Sequence, residues 1–249
     1  MADKRKLFID LGHSPTIAGA TGIKTEVNWV REIWAQLKGL IDTNYWDLIQ
    51  VQDEFPGIKN GNDNLIKRIQ NINAIGKPTD FLLSLHANAV DSDPTARGVE
   101  TFYVAGPISP EQEAIKLSAS YNRFTAVPIR GGDGAKEDTE SNRPRLGILR
   151  DTKPLALLIE CGFVTNKEDM AVPPLSAAQG IADFLNKLNP NYKPMPIMDE
   201  KDLALVTRAH ALGIIKGLDN LEGATNKRET VLMIMRVLEK IEAKLNIKL

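Results

Sequence analysis

Pro154–Asp169, PLALLIECGFVTNKED, is the stretch whose reading decides the fold. Leu155 to Ile159 is an apolar run, too short for a helix and bounded by Pro154 and Gly162. Such a run reads as a strand buried on both faces of a parallel sheet. It ends in a carboxylate, Glu160. An ionised carboxylate in that position costs free energy unless a cation, a metal or a role in chemistry compensates. In open α/β sheets ligands collect beyond the carboxyl ends of the strands, which is where Glu160 would lie. What else could meet it there decides the function.

Four more strands surround this one: Lys6–Asp10 (KLFID), Leu48–Val51, Thr79–Leu85 and Gly98–Val104. Helical patterns separate them. Thr25 is a suitable N-cap for a helix running to about Ile41, with Val27, Val30, Trp34, Leu37 and Ile41 on one face. Asp63–Ile75, Pro110–Phe124 and Ser176–Leu188 read as further helices, with Pro110 suited to a first turn. Strands alternating with helices predict an α/β domain over residues 1–188, a mostly parallel sheet flanked by helices. The polar stretch Arg130–Arg145 is expected to be a long loop. Asn189–Pro196, NPNYKPMP, has three prolines in eight residues, and residues 189–198 read as a linker. Residues 199–249 predict a small all-α domain. A unit of that size has a marginal core, so a homodimer through it is one expectation.

The 249 residues are 43% hydrophobic and carry a net charge of −1, which suits one sizeable globular domain and a small one. With 31 basic and 32 acidic residues, there is no nucleic-acid footprint. No stretch has the apolar length of a signal peptide or a membrane span, so neither export by that route nor a membrane partner is expected. The single cysteine, Cys161, is expected to be a buried structural thiol.

There are three histidines: His13, His86 and His210. His13 and His86 each follow a strand, so in a parallel sheet they converge on the edge that carries Glu160. Glu26 opens the helix after the first strand and faces the same edge. Two imidazoles and a carboxylate make a catalytic zinc set, and Glu160 outside it would serve as general base. Plainer readings stand beside this one. Either histidine could lie on the surface or be satisfied in the core, and Glu26 could simply favour the helix dipole. Such a donor set also accepts manganese or cobalt.

Several segments carry a family resemblance. They are IDLGHS (Ile9–Ser14), TEVNWVREIWAQL (Thr25–Leu37), SLHANA (Ser84–Ala89), GVETFY (Gly98–Tyr103) and LLIECGFVTNKED (Leu157–Asp169). In this order they resemble the zinc-dependent N-acetylmuramoyl-L-alanine amidases of the AmiC/CwlV type, amidase family 3, over about Lys6 to Leu188. The resemblance implies that His13, Glu26 and His86 hold one Zn2+ per catalytic domain. It makes Glu160 the catalytic acid/base and puts Asn88 at the substrate rim. The implied reaction hydrolyses the amide between the lactyl group of N-acetylmuramic acid and L-alanine of the peptidoglycan stem peptide. Arg150, just before the last strand, is a candidate to position a substrate carboxylate, beside a purely structural reading. Two departures stand out. SPTIAGATGIK follows Gly12-His13 where many relatives carry GGxDxGA, and the region before the third strand lacks the arginine often seen there.

Arg208–Lys240 resembles one S-layer-homology-type repeat. That implies binding of an anionic secondary wall polymer, with Lys216, Lys227 and Arg228 as candidate contacts. A plain helical hairpin packed on itself or on a second chain stands beside it. His210 lies here and is not expected to join the metal set. Catalytic domain, linker and small wall-binding domain, with no export signal, resemble a phage endolysin held in the host cytoplasm until release onto the cell wall; a host mother-cell lytic amidase, or one exported by another route, stands beside that reading. Two rivals remain: a zinc peptidase cutting elsewhere in wall peptides, and a non-catalytic wall-binding protein on the same fold.

Overall fold

A computed structural model describes residues 4–106, 109–143 and 145–192. The small all-α domain expected over 199–249 and residues 193–198 of the expected linker lie outside the described residues.

Six strands form one sheet: β1 (Arg5–Leu11), β2 (Trp46–Gln50), β3 (Phe81–Asn88), β4 (Glu100–Tyr103), β5 (Ala135–Glu137) and β6 (Leu155–Phe163). Their order is β2-β1-β3-β6-β4-β5. The first four in that order run parallel; β4 is antiparallel to β6, and β5 is parallel to β4. Side chains of a strand alternate between faces, so a continuous apolar run supplies two cores. Leu7, Ile9, Leu83, Leu85, Leu157 and Ile159 enter the larger one. It is closed by α1 (Glu26–Leu37), α3 (Glu111–Thr125) and α6 (Pro174–Lys187). Phe8, Leu82, Leu158 and Phe102 enter the smaller one, with Ile72 of α2 (Gly61–Ile75) and Ile148 and Leu149 of α4 (Gly147–Arg150). Among the described residues no helix is long and apolar enough to cross a membrane.

Three expectations need correcting. Strand β6 continues past Glu160 to Phe163, so Glu160 and the buried Cys161 lie inside it. Gly162 allows this by adopting φ +113°. The buried Asp169 carboxylate then accepts bonds from Phe163 N (3.0 Å) and Gly98 N (2.9 Å), stapling the end of β6 to the approach to β4. Asp169 belongs to the short helix α5 (Lys167–Met170), which the sequence reading passed over. Secondly, α1 stops at Leu37, just before Lys38 and Gly39. Ile41 is buried all the same, because the Asp42 backbone N–H is tied to Asn186 of α6 at 2.8 Å. Thirdly, the expected loop Arg130–Arg145 contains β5 and a 3-10 turn at Asp138–Glu140. Three residues are too few to show a periodicity; their pairing with β4 creates the strand.

Helices α3 and α6 approach closely at Gly180, where an added Cβ would lie 2.8 Å from the Tyr121 Cα and 3.1 Å from the Ser120 carbonyl. Both are backbone atoms, so the helices themselves would have to separate. Gly180→Ala should therefore destabilise the domain by about 1–2 kcal/mol, despite a gain of roughly 1 kcal/mol in helix propensity. An unchanged or raised melting temperature would contradict this packing.

Candidate metal centre

The site starts with a strained turn. His13 directly follows Gly12 at the end of β1 and has φ +62°. A left-handed conformation costs a residue with a Cβ roughly 1–2 kcal/mol. Several bonds hold it. Gly12 N donates to the Leu85 carbonyl of β3 at 2.9 Å. From α2, Arg68 donates to the Leu11 carbonyl (2.8 Å), to Asp10 Oδ1 (2.8 Å) and to the His13 carbonyl. Asp10 also accepts from Ser84 Oγ at 2.6 Å, and Arg68 Nε donates to Asn64 Oδ1 at 2.7 Å. Arg68 and Asp10 are both buried, so this is a fully hydrogen-bonded internal ion pair that aims His13.

Glu26 stands in the first turn of α1, capped by the Thr25 side chain as the sequence predicts. Its carboxylate is buried and heavily engaged. Oε2 accepts from Ala20 N at 2.9 Å and lies 3.2 Å from His13 Nε2. Oε1 lies 2.7 Å from His86 Nδ1 and accepts from Ala87 N at 3.2 Å. One donor atom from each of His13, Glu26 and His86 falls within 4.8 Å of the others. The glycines of the loop make room. A Cβ on Gly19 would overlap the Glu26 carboxylate and the His13 ring, and one on Gly12 would overlap the His86 ring.

Burial works against the charge of Glu26, yet bonds from His13 and His86 outweigh it and hold the carboxyl well below the usual carboxylate range. Burial likewise works against a protonated His86, yet Glu26 lifts it to about 9. In the protein alone, then, a proton on His86 supplies the positive charge that this cluster attracts. A divalent cation fits the same donors.

Glu160 lies directly beside His86 in the register of β3 and β6, and opposite Glu100 in that of β4 and β6. Its Oε2 is buried and has no hydrogen-bond partner among the described residues. Burial pushes its carboxyl up to about 8; His86 pulls it down, and Glu26 and Glu100 push it further up. A buried orphan oxygen calls for a ligand or a water.

The other sequence-predicted residues divide. Asn88 is brought to this cluster: its Nδ2 donates to Glu100 Oε1 at 2.9 Å. Arg150 is not. It stands in α4, ahead of the first residue of β6 and so at the far end of that strand from Glu160, and makes two 2.6 Å bonds to the buried Asp138. Its partner is structural. His210, Lys216, Lys227 and Arg228 lie outside the described residues. Sequence reading missed Arg68, which falls at helical spacing between Leu65 and Ile72 on the inner face of α2, in the region taken to lack an arginine. It also missed Asp10, a carboxylate inside an apolar strand like Glu160, and Glu100.

A family model described as N-acetylmuramoyl-L-alanine amidase matches residues 7–183. The chain belongs to this family. No curated protein matches it in sequence. Among solved structures, AmiC2 of Nostoc punctiforme aligns with a TM-score of 0.62 at 18% identity, covering 77% of this chain and 100% of that one. The catalytic domain of CwlV from Bacillus (Paenibacillus) polymyxa var. colistinus gives 0.60 at 20%, covering 76% and 99%. The catalytic domain of the CD27L endolysin targeting Clostridia difficile gives 0.59 at 25%, covering 77% and 99%. The mostly parallel sheet flanked by helices is thus the amidase catalytic fold.

Two outcomes follow for this amidase. Arg68→Met strands Asp10 as a buried unpaired charge and frees the His13 turn. It should cost about 3–5 kcal/mol in denaturant unfolding and weaken metal binding; a loss under 1 kcal/mol with unchanged metal affinity would remove Arg68 from this role. The second concerns pH. In chelator, His86 titrates at about 9 folded against 6.5 unfolded, so its stabilisation is complete below pH 6.5 and lost as pH rises through 9. Glu26 contributes above 4.5, its unfolded value, and its share is lost on acidification. Glu160, raised from 4.5 to about 8, loses its contribution over that span, so metal-free protein should be most stable near pH 4.5 and weaken towards pH 9. With zinc the slope should reverse, because ligating imidazoles must be neutral. Parallel thermal-unfolding slopes in chelator and in zinc would exclude His86 as a ligand.

Proposed function

We infer that this amidase is a zinc-dependent, endolysin-like hydrolase that cleaves the bond between N-acetylmuramic acid and L-alanine of the stem peptide. The observation that carries the reading is the clustering of His13, Glu26 and His86 beside Glu160, whose Oε2 has no partner among the described residues. His13, Glu26 and His86 would hold the ion, whose chemistry when bound is to polarise the scissile carbonyl and make water nucleophilic near neutral pH. Glu160 accepts at Oε2 the proton that the attacking water loses. As the carbon–nitrogen bond breaks, it delivers that proton to the departing alanine amine. The strand positions of His86 and Glu160 keep ligand and base side by side without a moving loop.

The endolysin role draws support from the likeness to the CD27L catalytic domain. On this reading the protein stays in the host cytoplasm until it reaches the wall. Residues 199–249 then anchor it there through an anionic polymer or pair it with a second copy.

Glu160→Gln keeps the shape of the side chain and loses the base. It should retain zinc while hydrolysis of purified cell wall falls by about 10²–10⁴-fold. Mass spectrometry of the wild-type digest should show new alanine amino termini and peptide-free glycan, abolished by chelator and restored by zinc. Cuts inside the peptide would instead establish the peptidase. Wild-type turnover by the variant would end the role given to Glu160.

A further inference from the structure

The row of side chains does not stop at Glu160. Glu100 stands opposite it on β4 and is buried. Glu100 Oε1 is taken by Asn88. Two cations converge on Oε2: Arg130 Nε at 2.9 Å and Lys136 Nζ at 2.7 Å. One carboxylate oxygen is shared by two cations, so each keeps N–H donors for a second acceptor. Both cations reach solvent, with side chains 33% and 22% exposed. The Arg130 guanidinium carbon lies over the Phe163 ring, 4.7 Å from its centroid, and its Nη1 donates to the Arg97 carbonyl at 3.1 Å. Its Nη2 has no partner among the described residues. A fixed, part-exposed guanidinium with a donor to spare, next to an ammonium, is suited to a carboxylate.

Distance gives the carboxylate a place in the substrate. Val99 bridges Ile129, so Arg130 stands beside Glu100. Neighbouring strands lie about 4.8 Å apart, which puts Arg130 roughly 10 Å across the sheet from Glu160. Two extended peptide residues span about 7 Å, and side chains cover the remainder. We propose that Arg130 and Lys136 form a subsite for a free carboxylate on the second residue of the stem peptide, on the leaving side of the scissile amide. This rests on the amidase reading above. In wall peptides that residue is a glutamate joined through its side chain, and its α-carboxyl is either free or amidated. The subsite selects the free acid, and Glu100 holds the two cations in position for it.

The test compares N-acetylmuramoyl-L-alanyl-D-glutamate with its α-amide, using zinc-loaded full-length protein. The acid should have a KM about ten-fold lower than the amide, and added salt should narrow the gap. Lys136→Gln leaves Arg130 to neutralise Glu100, so it keeps the core paired, and should bring the KM ratio to within two-fold. Arg130→Gln should do the same where it folds. Equal KM values in the wild type, or an unchanged ratio in Lys136→Gln, would overturn the subsite. Calorimetric binding of both probes to Glu160→Gln separates the two ideas. Preference for the acid without cleavage by the wild type keeps the subsite and sinks the amidase reading; cleavage without preference does the reverse.

Discussion

The carboxylate of Glu26 is the constraint on which this structure depends. It is buried, and it meets a backbone amide of the first loop, an imidazole from the end of β1, and an imidazole and an amide from β3. Three separate pieces of chain converge on one charged group. Buried charge is tolerated only when its hydrogen-bonding capacity is met and opposite charge is near. The loop between β1 and α1 is shaped by that demand: Gly19 has no side chain because the Glu26 carboxylate occupies its place. A cluster that binds a proton this readily in the protein alone is suited to a divalent cation.

Support for the cluster comes from behind. Arg68 reaches from α2 to three acceptors at the end of β1, and Asp10 and Ser84 complete the network across β3. Helix α2 buries little else: Ile72 is its one fully buried apolar residue among the described residues. Its inner face is spent largely on polar positioning rather than on core. A left-handed histidine survives where several strong bonds oppose its relaxation.

Three carboxylates thus crowd one edge of the sheet, and each is handled differently. Glu26 is charged and enclosed by imidazoles. Glu100 is paired with Arg130 and Lys136. Glu160 lies between them with a buried oxygen that has no partner among the described residues, and burial raises its affinity for a proton. Differences in environment, not in residue type, separate the three. The antiparallel turn of β4 against β6 makes this possible by bringing Glu100 face to face with Glu160.

The sequence by itself determined the parallel core strands and the amphipathic helices, because these follow from local periodicity. Spacing along the chain brought His13, Glu26, His86 and Glu160 to one edge of the sheet, and the family resemblance, not periodicity, is what implied roles for them. What lay beyond it were features made by partners distant in the chain. β5 exists only through pairing with β4, and the extension of β6 past Glu160 rests on Asp169 and a glycine at positive φ. Arg68 was visible only as a basic residue on an apolar helix face; its acceptors are more than fifty positions away, at residues 10, 11 and 13. Arg150 looked well placed for substrate because it precedes the last strand, but the tertiary structure gave it Asp138 instead. Periodicity is a property of neighbours along the chain and can be read from it. Charge pairing is a property of neighbours in space, and only the folded sheet decides who they are.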